Sequence, residues 1–415
     1  MSTGVGQAAT FAGADSSSEV SELSLLRNGQ AYLWDLQAHR ELYGLLPDLS
    51  ADEIVDRVRS AGLTGRGGAG FPAHLKIAAA RARGRHAVVV ANGSESEPAS
   101  LKDKALMLHR PFLIIEGAWL AAKAVSASKI YFYIHDYRHV HASLQRALSQ
   151  LRQQDVSIEI AIAPNGYVSG ESSAAVNFLN NQIALPTFSR PIDTGVNGAP
   201  TVVFNVETLA QMASIARIGS AAFRSLGTPN SPGSRLLTLS GGVFSPGTVV
   251  ELLHPSPTME VLEAAGGATA EPLAYLIGGY GGRFVPPFEL LGAEENGSLG
   301  CGLVGVVPEG ACGLNEAQRL FGFLASQSAK QCGPCQFGLP ALQAKLPAAL
   351  GTRPSRRAER SVIRLIREIA GRGGCSHPDA ATAMLNSAIA TFSEEVHLHR
   401  NRKCSAKGPQ PVFKV

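Results

Sequence analysis

Short apolar runs alternate with longer segments of helical periodicity through the first half of the chain. The runs that predict buried strands lie at 86–91, 129–134 and 157–163. The segments that predict helices lie at 31–60, 75–83, 111–127 and 138–154. Glycine, proline and asparagine follow two of the strands and end them. Strands that alternate with helices in this way are typical of an α/β fold with a parallel sheet.

The pattern changes after about residue 230. Strands are predicted at 235–240, 243–253 and 275–278, with a short helix at 258–265. From 314 to 399 the periodicity is helical with three glycine-containing breaks, which predicts a four-helix bundle. We therefore divide the chain into a flexible N-terminal arm (1–40), an α/β domain (41–228), a small α+β domain (229–300), a helical domain (301–400) and a basic tail (401–415).

The charge is distributed unevenly. The net charge of the 415 residues is only +4, yet residues 353–372 contain seven arginines against two glutamates. Residues 400–415 add two arginines and three lysines. This basic C-terminal region either binds an acidic partner or is an ordinary solvated helix face followed by a frayed tail.

Several classes of protein are excluded. Aromatic residues make up 6% and do not accompany the basic segments, which argues against nucleic-acid binding. No apolar stretch is long enough to predict a membrane span, and the N-terminus lacks the positive segment of a signal peptide, so we expect a cytoplasmic protein. Six cysteines are too few for a disulfide scaffold, so close cysteine pairs indicate metal binding or redox chemistry.

A glycine-rich segment, Gly65 to Gly70, precedes the helix predicted at 75–83. Glycines let backbone N–H groups approach an anion, and a helix N-terminus favours negative charge, so this loop is a candidate phosphate site. Arg66 and Lys76 add cationic donors. No predicted strand precedes the loop, so it differs from the usual dinucleotide motif, and a plain turn is the alternative.

Three further polar segments lie beyond this loop, and two of them follow predicted strands. Ligands of α/β proteins bind at the carboxyl ends of parallel strands, where these acids and amides suit ribose or ribityl hydroxyls or a flavin edge. Asn205 is a candidate helix N-cap, and capping alone is its alternative role. The residues concerned are Asn92, Ser94, Glu95, Glu97, Gly170, Glu171, Asn205 and Thr208.

Taken in order, these segments resemble the flavoprotein subunit of respiratory complex I and its relatives in NAD-linked hydrogenases and formate dehydrogenases, as a divergent and shorter member. The resemblance covers about residues 58–400. It implies an FMN-binding α/β domain, a small β-grasp domain of the soluble-ligand-binding type and a helical bundle with an iron–sulfur site.

The resemblance also assigns residues to FMN and NADH. It places Gly65, Arg66, Gly67, Gly68, Ala69, Phe71 and Lys76 around the FMN phosphate and the nucleotide. It places Asn92, Ser94, Glu95, Gly170, Glu171, Asn205 and Thr208 around the flavin ring and ribityl chain. Glu97 faces the NADH side, and Glu95 and Glu97 are the candidate catalytic acids.

The sequence departs from the family at several of these positions. Ser94 stands where the family has aspartate, Ser172 where it has a second glutamate, and Phe204 where it has one asparagine of a pair. Ala79 replaces an aromatic residue that stacks on the adenine of NADH. Each substitution removes a group from the surroundings expected for the flavin or the nucleotide.

The cysteines match most of the family's iron–sulfur pattern. Cys332 and Cys335 form a CxxC motif, and Cys375 follows at the family spacing, but Ala329 occupies the first ligand position. Three outcomes are open. In the first, the three cysteines alone hold a 3Fe–4S cluster or a 4Fe–4S cluster with an exchangeable site. In the second, the cluster is lost. In the third, a fourth ligand comes from His377, Cys301, Cys312 or Cys404. Otherwise His377 is a solvent-facing turn residue and those three cysteines are buried or free thiols.

The sequence therefore predicts an oxidoreductase subunit that moves electrons from NAD(P)H via FMN to an iron–sulfur cluster. The chain has no second set of cluster ligands, so a ferredoxin-like or other iron–sulfur partner is implied. The alternative is a divergent FMN-binding or assembly subunit that has lost NADH oxidation. A soluble ligand such as a cobalamin on the β-grasp unit is a third reading, based on fold likeness alone.

Overall fold

A computed structural model of the protein describes residues 11–13, 23–27, 32–84, 86–151, 156–241, 244–253, 270–290, 299–407 and 411–415. Its strands are β1 (Phe11–Gly13), β2 (Val88–Gly93), β3 (Lys129–His135), β4 (Ser157–Ala163), β5 (Thr201–Asn205), β6 (Arg235–Gly241), β7 (Phe244–Leu252), β8 (Pro272–Ile277), β9 (Arg283–Val285) and β10 (Leu303–Pro308).

The helices of the first half are α1 (Leu36–Tyr43), α2 (Ala51–Ala61), α3 (Ala73–Arg81), α4 (Lys102–His109), α5 (Pro111–Ala124), α6 (Arg138–Gln150), α7 (Ser172–Asn181) and α8 (Val206–Arg224). Those of the C-terminal part are α9 (Gly313–Ser326), α10 (Leu339–Leu350), α11 (Arg356–Ile369), α12 (His377–Thr391) and α13 (Ser393–Arg400). A single π-helical turn, Pro334–Gly338, precedes α10.

A parallel sheet with the order β4-β3-β2-β5 is the centre of the first half, which confirms the predicted α/β architecture. The central strands β2 and β3 are buried on both faces, and this explains why they are continuous apolar runs in the sequence. Helices α5 and α8 pack so closely that a Cβ on Gly117 would collide with the carbonyl group of Leu209. Glycine at this position is what permits the contact.

The strand order places a functional site before any side chain is considered. The chain runs from β2 to β3 and β4 on one side, and β5 pairs with β2 on the other. Neighbouring connections therefore diverge between β2 and β5, and ligands of open α/β sheets bind in the crevice at such a switch point. Asn92 and Asn205 face each other in register at the carboxyl ends of these two strands.

A second, mixed sheet has the order β1-β7-β6-β10-β8-β9. Strand β10, which the sequence analysis included in the helical domain, lies inside this sheet between β6 and β8. Its sequence LVGVVP is apolar on both faces, as expected for a central strand. The helix expected at 258–265 lies outside the described residues.

Parts of the expected N-terminal arm and basic tail are packed against the body. The backbone N–H groups of Leu25 and Leu26 donate to the carboxylate of Glu251, and both side chains are buried. At the other end, the ring of Phe413 is buried against Gly305 of β10. Buried apolar side chains, which the composition of these segments did not reveal, hold both in place.

In the C-terminal part, α9, α10, α11 and α12 contact one another in a ring, in which α9 also contacts α12. Their apolar faces share one core with part of the second sheet. Among the described helices none has by itself both the length and the apolar character needed to cross a membrane; only the pair α4–α5, bent by 97°, meets the composition limit.

Candidate functional site

A polar cleft of about 890 Å³, including the open space at its mouth, lies at the switch point between β2 and β5. Most of the sequence-predicted cofactor residues line it together: Gly65, Gly67, Ala69, Phe71, Lys76, Asn92, Ser94, Glu95, Glu97, Gly170, Asn205 and Thr208. Five further residues with no role expected from the sequence also line it: Ser96, Ser100, Lys102, Asp103 and Val203. So do Gly70 of the glycine loop, the substituted positions Ser172 and Phe204, and Cys301, which the sequence offered only as a cluster ligand.

Two asparagines at the strand ends connect the walls of the cleft. The Asn92 side-chain amide donates to the carbonyl of Gly170 over 2.9 Å, which fixes the turn that follows β4. Asn205 caps α8 by accepting the backbone N–H of Glu207, as predicted. Its amide also donates to Asp103 over 2.6 Å. Capping and lining the cleft are therefore compatible roles for Asn205.

The glycine loop is closed at its base, where the Gly65 N–H donates to the Phe71 carbonyl. Gly68, at φ +114°, passes close to the backbone of Cys301 and does not line the cleft itself. The Lys76 ammonium donates to the Val203 carbonyl over 3.0 Å at the cleft wall, and burial lowers its pKa. A positive charge beside a glycine-rich loop suits a phosphate.

The Arg66 side chain contacts residues that do not line the cleft. Its guanidinium is buried and donates to the carbonyl of Pro232, and neither residue lines the cleft. Its backbone N–H donates to the Thr208 hydroxyl over 2.9 Å, which ties the loop to α8. Arg66 therefore anchors the loop in this arrangement, and its role as a cationic donor to the phosphate stays a prediction.

Two of the predicted acids are helix caps. Glu95 accepts the backbone N–H groups of Asp103 and Lys104 at the start of α4, and it also lines the cleft. Glu171 accepts the N–H groups at the start of α7 and does not line the cleft. A carboxylate at a helix N-terminus satisfies otherwise unpaired donors, which explains both positions.

Glu97 lies in the cleft wall as predicted. One oxygen accepts the Tyr167 hydroxyl at 3.0 Å and the Tyr280 N–H at 2.9 Å, while the other, Oε1, is buried with no partner among the described residues. Burial raises the pKa of Glu97 to about 7, against the opposing effect of these two hydrogen bonds. Its protonation therefore changes near neutral pH, which is the property of a group that exchanges protons in a reaction.

A buried charged group beneath the cleft was missed from the sequence. The Lys102 ammonium lies 2.7 Å from Asp103 and 2.8 Å from Glu207, and all three side chains are almost fully buried. Cys301 is also at the cleft, where burial raises the pKa of its thiol to about 12. Lys102 and Asp103 directly follow the acidic turn at 92–98, and this proximity is the only sequence signal for them.

The residues of the cleft fit FMN. A Cβ on Gly170 would lie 2.5 Å from the Ser96 hydroxyl, so glycine keeps the cleft open there. The unpartnered oxygen of Glu97 is an acceptor available to a ligand hydroxyl or N–H group. Lys76 with the glycine loop can hold the phosphate, and the side chains of Asn92, Glu95 and Asn205 surround the space for the ribityl chain and ring.

The helical domain brings the three predicted cluster cysteines together. Cys332 accepts the N–H of Gly374 and interacts with both Cys335 and Cys375. The N–H of Lys330 donates to Cys335, and the N–H of His377 donates to Cys375. All six cysteines of the chain are free thiols. Iron–sulfur clusters are held by cysteine thiolates that accept backbone N–H groups, so these residues fit three of the four ligand positions of a 4Fe–4S cluster.

The four residues considered as a fourth cluster ligand lie in three different places in the structure. His377 is buried rather than solvent-facing, and its Nε2 donates to the Leu324 carbonyl over 2.8 Å. Cys301 lines the FMN cleft, and Cys312 and Cys404 lie together in a different cluster with Glu395 and His399.

Comparisons with known families agree with both sites. Residues 58–214 match the family model of the Nuo51 FMN-binding domain. Residues 315–399 match the model of the NADH-ubiquinone oxidoreductase-F iron-sulfur binding region. The first match contains the glycine loop and the ends of β2 and β5, and the second contains the three cysteines.

Whole-chain relatives extend this match. The NADH-quinone oxidoreductase F 2 subunit of Rhizobium meliloti (strain 1021) is 30% identical over 392 residues, which cover 88% of this chain and 93% of the relative. The corresponding F subunit of Escherichia coli (strain K12) is 30% identical over 379 residues, or 84% of this chain and 85% of the relative. A chain of the NAD+-reducing [NiFe]-hydrogenase in the H2-reduced state superimposes with a TM-score of 0.77 at 27% identity; the match covers 86% of this chain but only 64% of the hydrogenase chain. The protein therefore belongs to the family of NADH-quinone oxidoreductase F subunits, the flavoproteins that its motifs resemble.

Proposed function

We propose that this chain is the flavoprotein subunit of an oxidoreductase and moves electrons from NAD(P)H through FMN to an iron–sulfur cluster. FMN accepts two electrons as a hydride and can release them singly, which suits a cluster as the next carrier. The chain's own residues hold the cofactor and the nucleotide in one cleft. The six free thiols fit a reducing compartment such as the cytoplasm.

One observation carries this proposal: a single side chain joins the cleft to the segment that bears the cysteines. The Tyr167 hydroxyl donates to Glu97 in the cleft wall. The Tyr167 ring packs edge-on against Phe323 of α9, and its N–H donates to Gln327. Residues 328–335, here called the cysteine loop, contain Cys332 and Cys335 and begin directly after Gln327 in the sequence. The Tyr167 ring also packs against His377, two residues after Cys375, so the same residue contacts the cleft wall and both segments that carry the cysteines.

An anaerobic NADH titration of the purified protein, followed by visible absorption, tests the proposal. We expect the flavin bands to bleach over a broad iron–sulfur background. A flavin that remains oxidised after NADH is added, but that dithionite then reduces, would contradict NADH oxidation. That outcome would favour the divergent FMN-binding or assembly subunit, for which the changed residues Ser94, Ser172 and Phe204 at the cleft are the supporting observation.

Glu97 gives a prediction about pH. Because burial raises its pKa to about 7 from the ordinary 4.5, the folded protein binds more protons than the unfolded chain between these two values. Glu97 therefore favours folding at pH 4.5, and this contribution is lost as the pH rises to 7. We expect the Glu97→Gln variant to gain about 1–3 kcal/mol of stability relative to wild type between pH 5 and pH 8.

Urea unfolding of wild type and variant at both pH values measures this difference. Glu289→Gln, at an exposed glutamate, is the matched control and should show no pH-dependent difference from wild type. An equal stability difference at pH 5 and pH 8 for Glu97→Gln would contradict the raised pKa.

The electron acceptor is proposed to be an acidic iron–sulfur protein that docks beside the cysteine loop. Phe337, two residues after Cys335, is 72% exposed, and Phe188, whose ring lies against Gly374, is 85% exposed. Helix α11 contacts the same π-helical turn. The arginines of 353–372 are all exposed: Arg353, Arg356, Arg357, Arg360, Arg364, Arg367 and Arg372. Positive charge around exposed apolar side chains suits an acidic carrier.

Charge reversal on α11 tests this docking surface. We expect the triple variant Arg356→Glu, Arg360→Glu, Arg367→Glu to raise the KM for an acidic ferredoxin by about tenfold or more at low salt, because electrostatic attraction steers the encounter. NADH oxidation with ferricyanide should not change. The control carries the same three reversals at exposed arginines in the first half of the chain, Arg40, Arg59 and Arg138. Equal effects of the two triple variants would contradict docking at α11.

A further inference from the structure

Four metal-ligating side chains converge at a place separate from the cleft and from the cysteine loop. Cys312, Glu395, His399 and Cys404 each present one ligand atom, and all four atoms lie within 4.8 Å of one another. The first three residues are buried, with at most 7% exposed, and Cys404 is half-buried. They come from two regions far apart in sequence, so the fold brings them together.

The sulfur of Cys312 is placed to act as a thiolate ligand. Cys312 is the N-cap of α9, and its Sγ accepts the N–H of Asn315 at 3.4 Å. Burial raises the pKa of this thiol, and the backbone donor and the positive end of the helix oppose that effect. Its Sγ lies 3.6 Å from Nε2 of His399. Tetrahedral zinc with ordinary Zn–S and Zn–N bond lengths requires a sulfur–nitrogen separation of about 3.6 Å.

The orientation of His399 is fixed from its other nitrogen. Nδ1 lies 2.6 Å from the Leu350 carbonyl, which can only accept, so Nδ1 carries a proton. Nε2 then points at the Glu395 carboxylate, 2.9 Å away, and at the sulfur. A ligating histidine whose second nitrogen donates to a carbonyl is the usual outer-shell arrangement of zinc sites. The Ser405 N–H in turn holds the Glu395 carboxylate at 3.0 Å.

We propose that Cys312, Glu395, His399 and Cys404 bind one Zn²⁺ ion. Two sulfurs, one imidazole nitrogen and one carboxylate oxygen are a tetrahedral zinc donor set. Four protein ligands leave no position open for water or substrate, so the role of this ion is structural. This proposal does not depend on the oxidoreductase function, because neither the cleft nor the three cluster cysteines contribute a ligand.

The site would fasten the C-terminal segment to the rest of the protein. Cys312 is the N-cap of α9, whereas Glu395 and His399 lie in α13 and Cys404 lies in the segment after it. Beyond Cys404, the Lys407 N–H donates to the Gly310 carbonyl, and Phe413 is buried in the domain core. The Tyr280 hydroxyl donates to the carbonyl of Lys414, while the Tyr280 N–H donates to Glu97 in the cleft. Zinc would thereby stabilise a segment that supports the cleft wall.

Metal analysis of full-length protein tests the proposal. The protein is expressed with added zinc and iron, purified anaerobically without a histidine tag or chelator, and measured by inductively coupled plasma mass spectrometry. We expect about one zinc per chain in wild type. Cys404→Ser should lose that zinc and keep its iron and FMN, whereas Cys335→Ala should keep the zinc. Wild type with less than about 0.1 zinc per chain, or Cys404→Ser with unchanged zinc, would overturn the proposal.

Zinc-edge X-ray absorption of the wild type supplies a measurement that needs no variant. We expect two sulfur scatterers at about 2.3 Å and two nitrogen or oxygen scatterers at about 2.0–2.1 Å. Four sulfurs, or oxygen and nitrogen alone, would overturn the assignment. So would a disulfide between Cys312 and Cys404 in the anaerobic protein, since the two sulfurs lie within reach of each other and a disulfide removes both ligands.

Discussion

Replacing Cys335 with alanine is expected to remove the iron from the protein while FMN stays bound. Cys335 is buried in the core of the helical domain, and its sulfur lies beside Cys332 and accepts the Lys330 N–H. Only three cysteines are present at the family's four positions, because Ala329 occupies the first. Loss of one more thiolate leaves two, which is too few to hold a cluster of three or four irons.

The expected size of the effect is a fall from about three or four irons per chain to less than about 0.5. Reduction of an iron–sulfur partner should fall by about tenfold or more, since single electrons are proposed to leave the flavin through this cluster. Flavin bleaching by NADH should persist, because no cleft residue changes. Cys404→Ala removes a sulfur from the same domain and should keep its iron. An unchanged iron content in Cys335→Ala would contradict the assignment of Cys335 as a cluster ligand.

Replacing Lys102 with methionine is expected to destabilise the fold more than any surface change. Burial by itself lowers the pKa of Lys102, but the charges and hydrogen bonds of Asp103 and Glu207 outweigh it and raise the pKa above its ordinary value. Without the ammonium, the two buried carboxyl groups lose the cation between them, although Asp103 keeps the Asn205 amide and Glu207 keeps the Leu236 N–H as donors. Breaking a buried ion pair on one side costs about 3–5 kcal/mol, and we expect a loss of this size in the free energy of unfolding.

Urea unfolding of the FMN-loaded protein, followed by circular dichroism, measures this loss. Lys123→Met is the matched control, because the Lys123–Asp48 pair has a similar length of 2.7 Å but lies on the surface. Exposed ion pairs contribute little to stability, so the control should unfold at the same urea concentration as wild type. If Lys102→Met and Lys123→Met have the same free energy of unfolding, the buried lysine does not stabilise the fold through Asp103 and Glu207.

The sequence predicted the elements whose pattern is local. Residues 129–134 and 157–163 were predicted as strands because they are apolar or alternating and are followed by clear breaks, and β3 and β4 lie there. Strands β5 and β10 were missed because TVVFN and LVGVVP are short runs beside polar or glycine-rich segments. Their partners, β2 in one sheet and β6 and β8 in the other, are distant in sequence. Periodicity within a window cannot reveal such pairing.

In the candidate site, too, the residues with local sequence signals were predicted and those placed by distant residues were not. Glycine loops and polar groups after strands are local signals, and most residues predicted from them line the cleft. The direction of the Arg66 side chain and the position of Cys301 depend on residues more than 160 and 200 positions away, respectively. Likewise, Cys312 and Cys404 were isolated thiols in the sequence, and only the fold places Glu395 and His399 beside them.

The two ends of the chain meet at the same sheet, and this affects the order in which the protein can fold during synthesis. The four-stranded sheet is complete once residue 205 has been made, so the first domain can begin to form early. The six-stranded sheet instead waits for β10, and its surface at Gly305 stays uncovered until Phe413 is made. A chain truncated before residue 303 would therefore contain a complete four-stranded sheet and a second sheet without β10, in which β6 and β8 each have an unpaired edge that favours aggregation.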